Sequence, residues 1–136
     1  MPRFMLQSHQ DFVHAYVTGG SFLNSTTFAR HLVELAADKQ AEDIVLLDLA
    51  KVSVLADYFI IATANSERQI KAITDYAQAE SAKDDRKALH VEGDTNSGWV
   101  LLDYGDVVLH VMSPTQRAYY RLEELWRQAP MVLKIQ

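Results

Sequence analysis

The sequence predicts a single α/β domain in which helices cover a mixed sheet of five strands. Two segments, 44–49 and 58–63, are apolar on both faces, the pattern of strands in the interior of a sheet. Three other segments carry apolar residues at helical spacing, each opened by a residue type that caps helix starts. The 136 residues, 49% hydrophobic and 23% charged, suffice for one domain with a core of its own. The order is helix, two strands, helix, two or three strands, helix, without internal repeats.

Residues 1–24 read as an extension of unknown role, with neither a signal-peptide core nor an Arg-rich amphipathic pattern. Within it, 10–17 could form a short helix using Phe12, Val13 and Tyr16, which Gly19-Gly20 would end. The domain proper is expected over 25–130. Ser25 or Thr26 caps its first helix, in which Phe28, Leu32, Leu35 and Ala36 form the buried stripe, and which ends near Lys39. The strands at 44–49 and 58–63 follow. Ser66-Glu67-Arg68-Gln69 is a capping box, and Ile70, Ile73 and Ala77 face the core of a helix reaching about Ala82. A charged loop and a short strand at 89–91 lead to strands at 99–103 and 106–112. Ser113-Pro114 then opens a last helix with the stripe Ala118, Leu122, Leu125 and Trp126, stopped by Pro130. Residues 131–136 read as a tail.

Composition removes several classes of function. Without cysteine there is no disulfide, thiolate nucleophile or sulfur-based zinc site, and a reducing, cytoplasmic setting is expected. The longest apolar runs are too short to span a bilayer, so no membrane association is expected. The net charge of −5, with no basic stripe, argues against direct nucleic-acid binding and suits a basic protein partner. No His-Glu-x-x-His pair, phosphate-binding glycine loop or Gly-x-Ser-x-Gly elbow occurs. Of the histidines, His9, His14, His31, His90 and His110, none sits at ligand spacing from another within an element, and His31 is expected at the surface. Asp48, Asp57, Asp103 and Asp106 could gather at one end of the sheet and hold a divalent cation, as in nucleotidyl transfer. Aspartates beside turns are common for structural reasons, which is the favoured reading.

The hairpin carries the sharper signal. A two-residue turn at Tyr104-Gly105 pairs Asp103 with Asp106, Leu101 with Val108 and Trp99 with His110, all on one side. Val100, Leu102, Val107 and Leu109 make the other side wholly apolar, so that side should pack under the helices. The first face, with Tyr104 at its turn, is then the candidate protein-docking surface: an aromatic anchor among aliphatic and acidic groups. The alternative is that a further helix covers this face and Trp99 is ordinary core. Trp126, on a helical stripe, is expected in the core.

These residues resemble a known family. Ala41 through Asp48, Ala56-Asp57-Tyr58-Phe59-Ile60-Ile61, Ser66 with Gln69, Val91-Glu92-Gly93, Gly98 through Val108 with His110, and Tyr119-Tyr120-Arg121-Leu122-Glu123-Glu124-Leu125-Trp126 follow, in order and spacing, the ribosomal silencing factor family, also called the Iojap family. Lys87-Ala88-Leu89-His90 departs from the Gly-x-x-Pro often found there in the family. The resemblance implies a domain similar in topology to nucleotidyltransferases but without their catalytic apparatus, and so no catalytic residues, metal or cofactor. It further implies a protein that binds the large ribosomal subunit through its protein fourteen, blocks the small subunit sterically and lowers translation when nutrients are short. Trp99, Leu101, Asp103, Tyr104, Asp106, Val108 and His110 are the residues assigned to that contact. The rival readings are a metal-dependent nucleotidyltransferase built on the four aspartates, and a homodimer whose interface is the hairpin face.

Overall fold

The computed structural model describes residues 24–136. Helix α1, Ser25–Asp38, is capped by neither Ser25 nor Thr26 but by the preceding Asn24, whose side chain accepts from the Thr27 amide. Strands β1, Glu42–Asp48, and β2, Tyr58–Thr63, are antiparallel neighbours buried through their middles. Helix α2 spans Glu67–Lys83. Ser66 Oγ accepts from the Gln69 amide at 3.0 Å, but the Gln69 side chain does not close the box on Ser66 itself. Its Oε1 accepts from the Asn65 amide at 2.7 Å and its Nε2 donates to the Gln40 carbonyl at 2.9 Å, so one glutamine ties the start of α2 to the α1–β1 loop.

A short edge strand β3, His90–Glu92, and a 3₁₀ turn at Thr95–Ser97 lead into β4, Trp99–Asp103, and β5, Val107–Met112. Just after β3, Gly93, at φ +81°, passes so close to β4 that an added Cβ would lie 2.0 Å from the Trp99 carbonyl oxygen, so only glycine fits. Helices α3, Pro114–Tyr120, and α4, Leu122–Leu125, follow, then β6, Met131–Ile135.

The sheet has six strands in the order β3-β4-β5-β2-β1-β6, mixed because β2 and β5 run parallel while the other neighbours are antiparallel. The sixth strand is the segment expected to be a tail. Met131, Leu133 and Ile135 pair with Leu47, Leu46 and Ile44, and Leu133 packs on the helix-side core. Helices α1 and α2 cover one face of the sheet, where Phe28, Leu32, Ile70 and Ile73 meet Val100, Leu102, Val107, Leu109 and Val111. This is the face the hairpin pattern assigned to the helices. The opposite face has its own core, in which Val45, Leu47, Phe59, Ile61, Trp99, Leu101, Val108 and Met112 lie against Leu122, Ala129 and Trp126.

Two local expectations are corrected. The hairpin turns one residue later than expected, at Gly105-Asp106, where the Tyr104 amide donates to the Val107 carbonyl at 2.9 Å. Gly105 has φ +93°, so the turn places its glycine first of the two central residues, and Asp103 Oδ1 braces it by accepting from the Gly105 amide. Trp99 therefore opposes Met112, Leu101 opposes His110 and Asp103 opposes Val108. Each partner moves by two residues, which preserves the faces of the strands, whereas a slip of one would have inverted them. The last helix is also broken. Arg121 adopts a left-handed conformation at φ +48°, ending α3 and redirecting the chain so that Leu122 is buried.

Candidate partner-binding surface

The hairpin places Trp99, Leu101, Asp103, Val108 and His110 on one side of the sheet, but that side is not open to solvent. Trp99 is 8% exposed and His110 0%, with Leu101, Asp103 and Val108 also buried. Of the two readings left open for this face, the covered one holds. Leu122, Ala129 and Trp126 lie over it, and Tyr120 closes on Trp99 with ring centroids 4.8 Å apart.

Tyr104 and Asp106 leave the group. Moving the turn by one residue puts Tyr104 on the helix side, where its ring meets Phe28 edge-on and its hydroxyl lies 2.9 Å from Ser81 Oγ. Burial there pushes its pKa up. Asp106 belongs to the turn, and its carboxylate receives both Arg86 Nη atoms, at 2.8 and 2.7 Å. The Arg86 guanidinium in turn lies over the Phe28 ring. This pair joins the hairpin turn to the end of α2 and removes Asp106 from any exposed rim.

The four aspartates do come towards one end of the sheet. The Asp57 amide donates to the Asp106 carbonyl at 2.7 Å, and the Asp57 pKa is raised by burial and by the charges of Asp106 and Asp48, against a lowering hydrogen bond with Ser25. Their carboxylates serve the fold. Asp48 accepts from the Ala50 amide, Asp103 braces the turn and Asp106 holds Arg86. Among the described residues no group of three or more His, Asp or Glu side chains could hold a metal ion.

What the face does have is an aromatic series running from core to surface. Phe59 meets both His110 and Trp126 edge-on, His110 meets Trp99, Trp99 meets Tyr120, and Tyr120 meets Tyr119. Trp99 Nε1 donates to His110 Nδ1 at 3.2 Å. The outer members reach solvent, Tyr120 at 36% and Tyr119 at 72% exposure, with exposed Leu125, Val52 and Val54 elsewhere on the chain. Helix α3 is anchored by Arg117, whose Nη1 donates to Thr63 Oγ1 at 2.8 Å and to the Asp43 carbonyl, while its Nε donates to Glu123. Tyr119 and Tyr120 are not among the candidate residues drawn from the hairpin pattern. They lie off the Ala118, Leu122, Leu125, Trp126 stripe, and large aromatics off the buried stripe of a helix are the signal that could have found them.

The profile of a family described as "Ribosomal silencing factor during starvation" matches residues 23–136. The chain belongs to this family. The ribosomal silencing factor RsfS of Bacillus subtilis is 38% identical over 109 residues, covering 80% of this chain and 92% of that one. A crystal structure of a Chromobacterium violaceum protein superposes with a TM-score of 0.74 at 35% identity, over 77% of this chain and 88% of that one. A mouse relative, named mitochondrial assembly of ribosomal large subunit protein 1, is 30% identical over 99 residues, 70% of this chain and 43% of that one. Membership fits the six-stranded mixed sheet, and the names of these relatives describe ribosome-related factors rather than enzymes. No described helix is long and apolar enough to cross a membrane.

Proposed function

We propose that this ribosomal silencing factor binds the large ribosomal subunit through its protein fourteen and excludes the small subunit by occupying the joining surface, lowering translation when nutrients are short. The setting is the cytoplasm. The observation that carries the reading is the exposed Tyr119-Tyr120 pair, in which Tyr120 packs at a tilt on the buried Trp99 and Tyr119 meets Tyr120 edge-on, an aromatic anchor of the kind that dominates protein interfaces. The family description supports the ribosome as target, and the mouse relative's name supports the large subunit. In this reading Trp99, Leu101, Asp103, Val108 and His110 lie buried beneath the contact and support it, and Tyr119 and Tyr120 touch the partner. Tyr104 and Asp106 act from beneath, by fixing the hairpin turn.

The mechanism asked of the protein is steric. A bound domain that covers the joining surface needs no bond-making, only an affinity that outlasts encounters with the small subunit. The net charge of −5 favours approach to a basic ribosomal protein over direct contact with rRNA phosphates. Co-sedimentation with purified large and small subunits tests the proposal. The protein is expected to pellet with large subunits alone, and Tyr120→Ala to weaken this by roughly 1–2 kcal/mol while thermal unfolding is unchanged. Pelleting with neither subunit, or equally with both, contradicts the proposal.

A further inference from the structure

We infer that His110 is a positioning residue: it holds the Trp99 indole in the orientation against which Tyr120 packs, and so acts on the partner surface without touching the partner. This rests on the proposed function above for the identity of the surface, while the geometry stands by itself.

His110 is fully buried, so no partner can reach it in this fold. Trp99 and His110 are not cross-strand partners, because Trp99 opposes Met112 and His110 opposes Leu101. They are diagonal neighbours, a spacing that long aromatic side chains can bridge but that does not itself fix ring orientation. The fixing contact is the 3.2 Å bond from Trp99 Nε1 to His110 Nδ1. An indole N–H only donates, so Nδ1 must carry the lone pair, and the proton of the neutral ring belongs on Nε2. Burial pushes the His110 pKa down to about 3, which keeps that acceptor available at any physiological pH. Phe59 meets the imidazole at 4.7 Å with an interplanar angle of 64°, holding the ring from the β2 side. The imidazole thus connects the core to Trp99, and Trp99 supports Tyr120 at 4.8 Å.

Variants His110→Asn and His110→Leu separate this role from simple packing. The Asn Oδ1 can stand where Nδ1 accepts, whereas Leu fills space without an acceptor. Large-subunit co-sedimentation is expected to weaken about tenfold for His110→Leu, the size of one lost hydrogen bond, and by no more than about threefold for His110→Asn. In a Trp99→Phe background, His110→Leu should add nothing, because there is no indole N–H left to position. The Trp99 Nε1–H NMR resonance, identified by its loss in Trp99→Phe, should move in His110→Leu and stay near its place in His110→Asn. In the parent, the His110 ¹⁵N shifts should report a protonated Nε2 and an unprotonated Nδ1, a readout that needs no variant to fold. A protonated Nδ1, an unmoved indole resonance in His110→Leu, or additive losses with Trp99→Phe would each overturn the inference. A parent that fails to bind large subunits sinks the ribosome reading instead, and the NMR results still decide whether His110 positions Trp99.

Discussion

At the scale of the residue, His110 has a consequence for stability that can be measured without any ribosome. Its folded pKa, about 3, lies below the ordinary 6.5 because the charged ring would be buried among apolar side chains. Between those values the unfolded chain binds a proton that the folded chain refuses. Stability is therefore fully present above about pH 6.5 and falls as pH drops towards 3, by about 1.4 kcal/mol per pH unit within the window. At pH 5 the loss is about 2 kcal/mol relative to pH 7. Chemical unfolding of the parent and of His110→Asn across pH 5–7 checks this: the parent should show the extra slope and the variant should lose it. Parallel slopes would mean that the buried ring takes up its proton in the fold. The pattern of alternation sufficed to place Trp99, Leu101, Val108 and His110 on one face, because the strand period is strict. It could not tell that Tyr104 and Asp106 fall outside that face, since this depends on which residue of the turn adopts positive φ.

At the scale of the element, the sheet interior and both long helices were legible because their apolar periodicity is long and their caps are standard residue types. The segments that cover the Trp99 face were not. Ala118, Leu122, Leu125 and Trp126 fit one continuous helical stripe, yet the chain breaks at Arg121, where the Arg117 anchor to Thr63 and the burial of Leu122 together outweigh local helix preference. Strand β6 is short and follows a helix-stopping proline, so nothing local distinguishes it from a tail; its identity comes from pairing with β1, distant in sequence. Its contribution can be tested by truncation after Pro130. Removing Leu133 from the helix-side core and the ladder along β1 is expected to cost about 2–4 kcal/mol, read as an earlier denaturant midpoint. A truncated protein as stable as the parent would show that β6 adds nothing to the fold. The Arg86–Asp106 pair makes a second test at this scale. Asp106→Asn removes the charge opposite a nearly buried guanidinium and should cost about 3 kcal/mol, although Asp106 looked like an ordinary turn residue. A change below about 0.5 kcal/mol would mean that the pair is screened like a surface one.

At the scale of the whole molecule, both faces of the sheet are covered over the four central strands, and only the edge strands β3 and β6 remain largely exposed. What remains is a surface whose aromatic residues rest on one another: Tyr119 on Tyr120, Tyr120 on Trp99 and Trp99 on His110, with the covering helices tied down by Arg117. Side chains supported by their neighbours suit a steric blocker, because they lose less entropy on binding than unsupported ones. The family resemblance in the sequence pointed to the ribosome, while periodicity and composition alone reached only an acidic protein-binding domain. The most direct test of the account is subunit joining followed by light scattering, with large subunits preincubated with the parent, Tyr120→Ala or Trp99→Ala protein before small subunits are added. Steric exclusion predicts that the parent lowers the extent of joining in proportion to its occupancy of large subunits, and that the folded variants need about five- to thirtyfold higher concentration for the same effect. Joining that proceeds undiminished with the parent saturating the large subunit would contradict it.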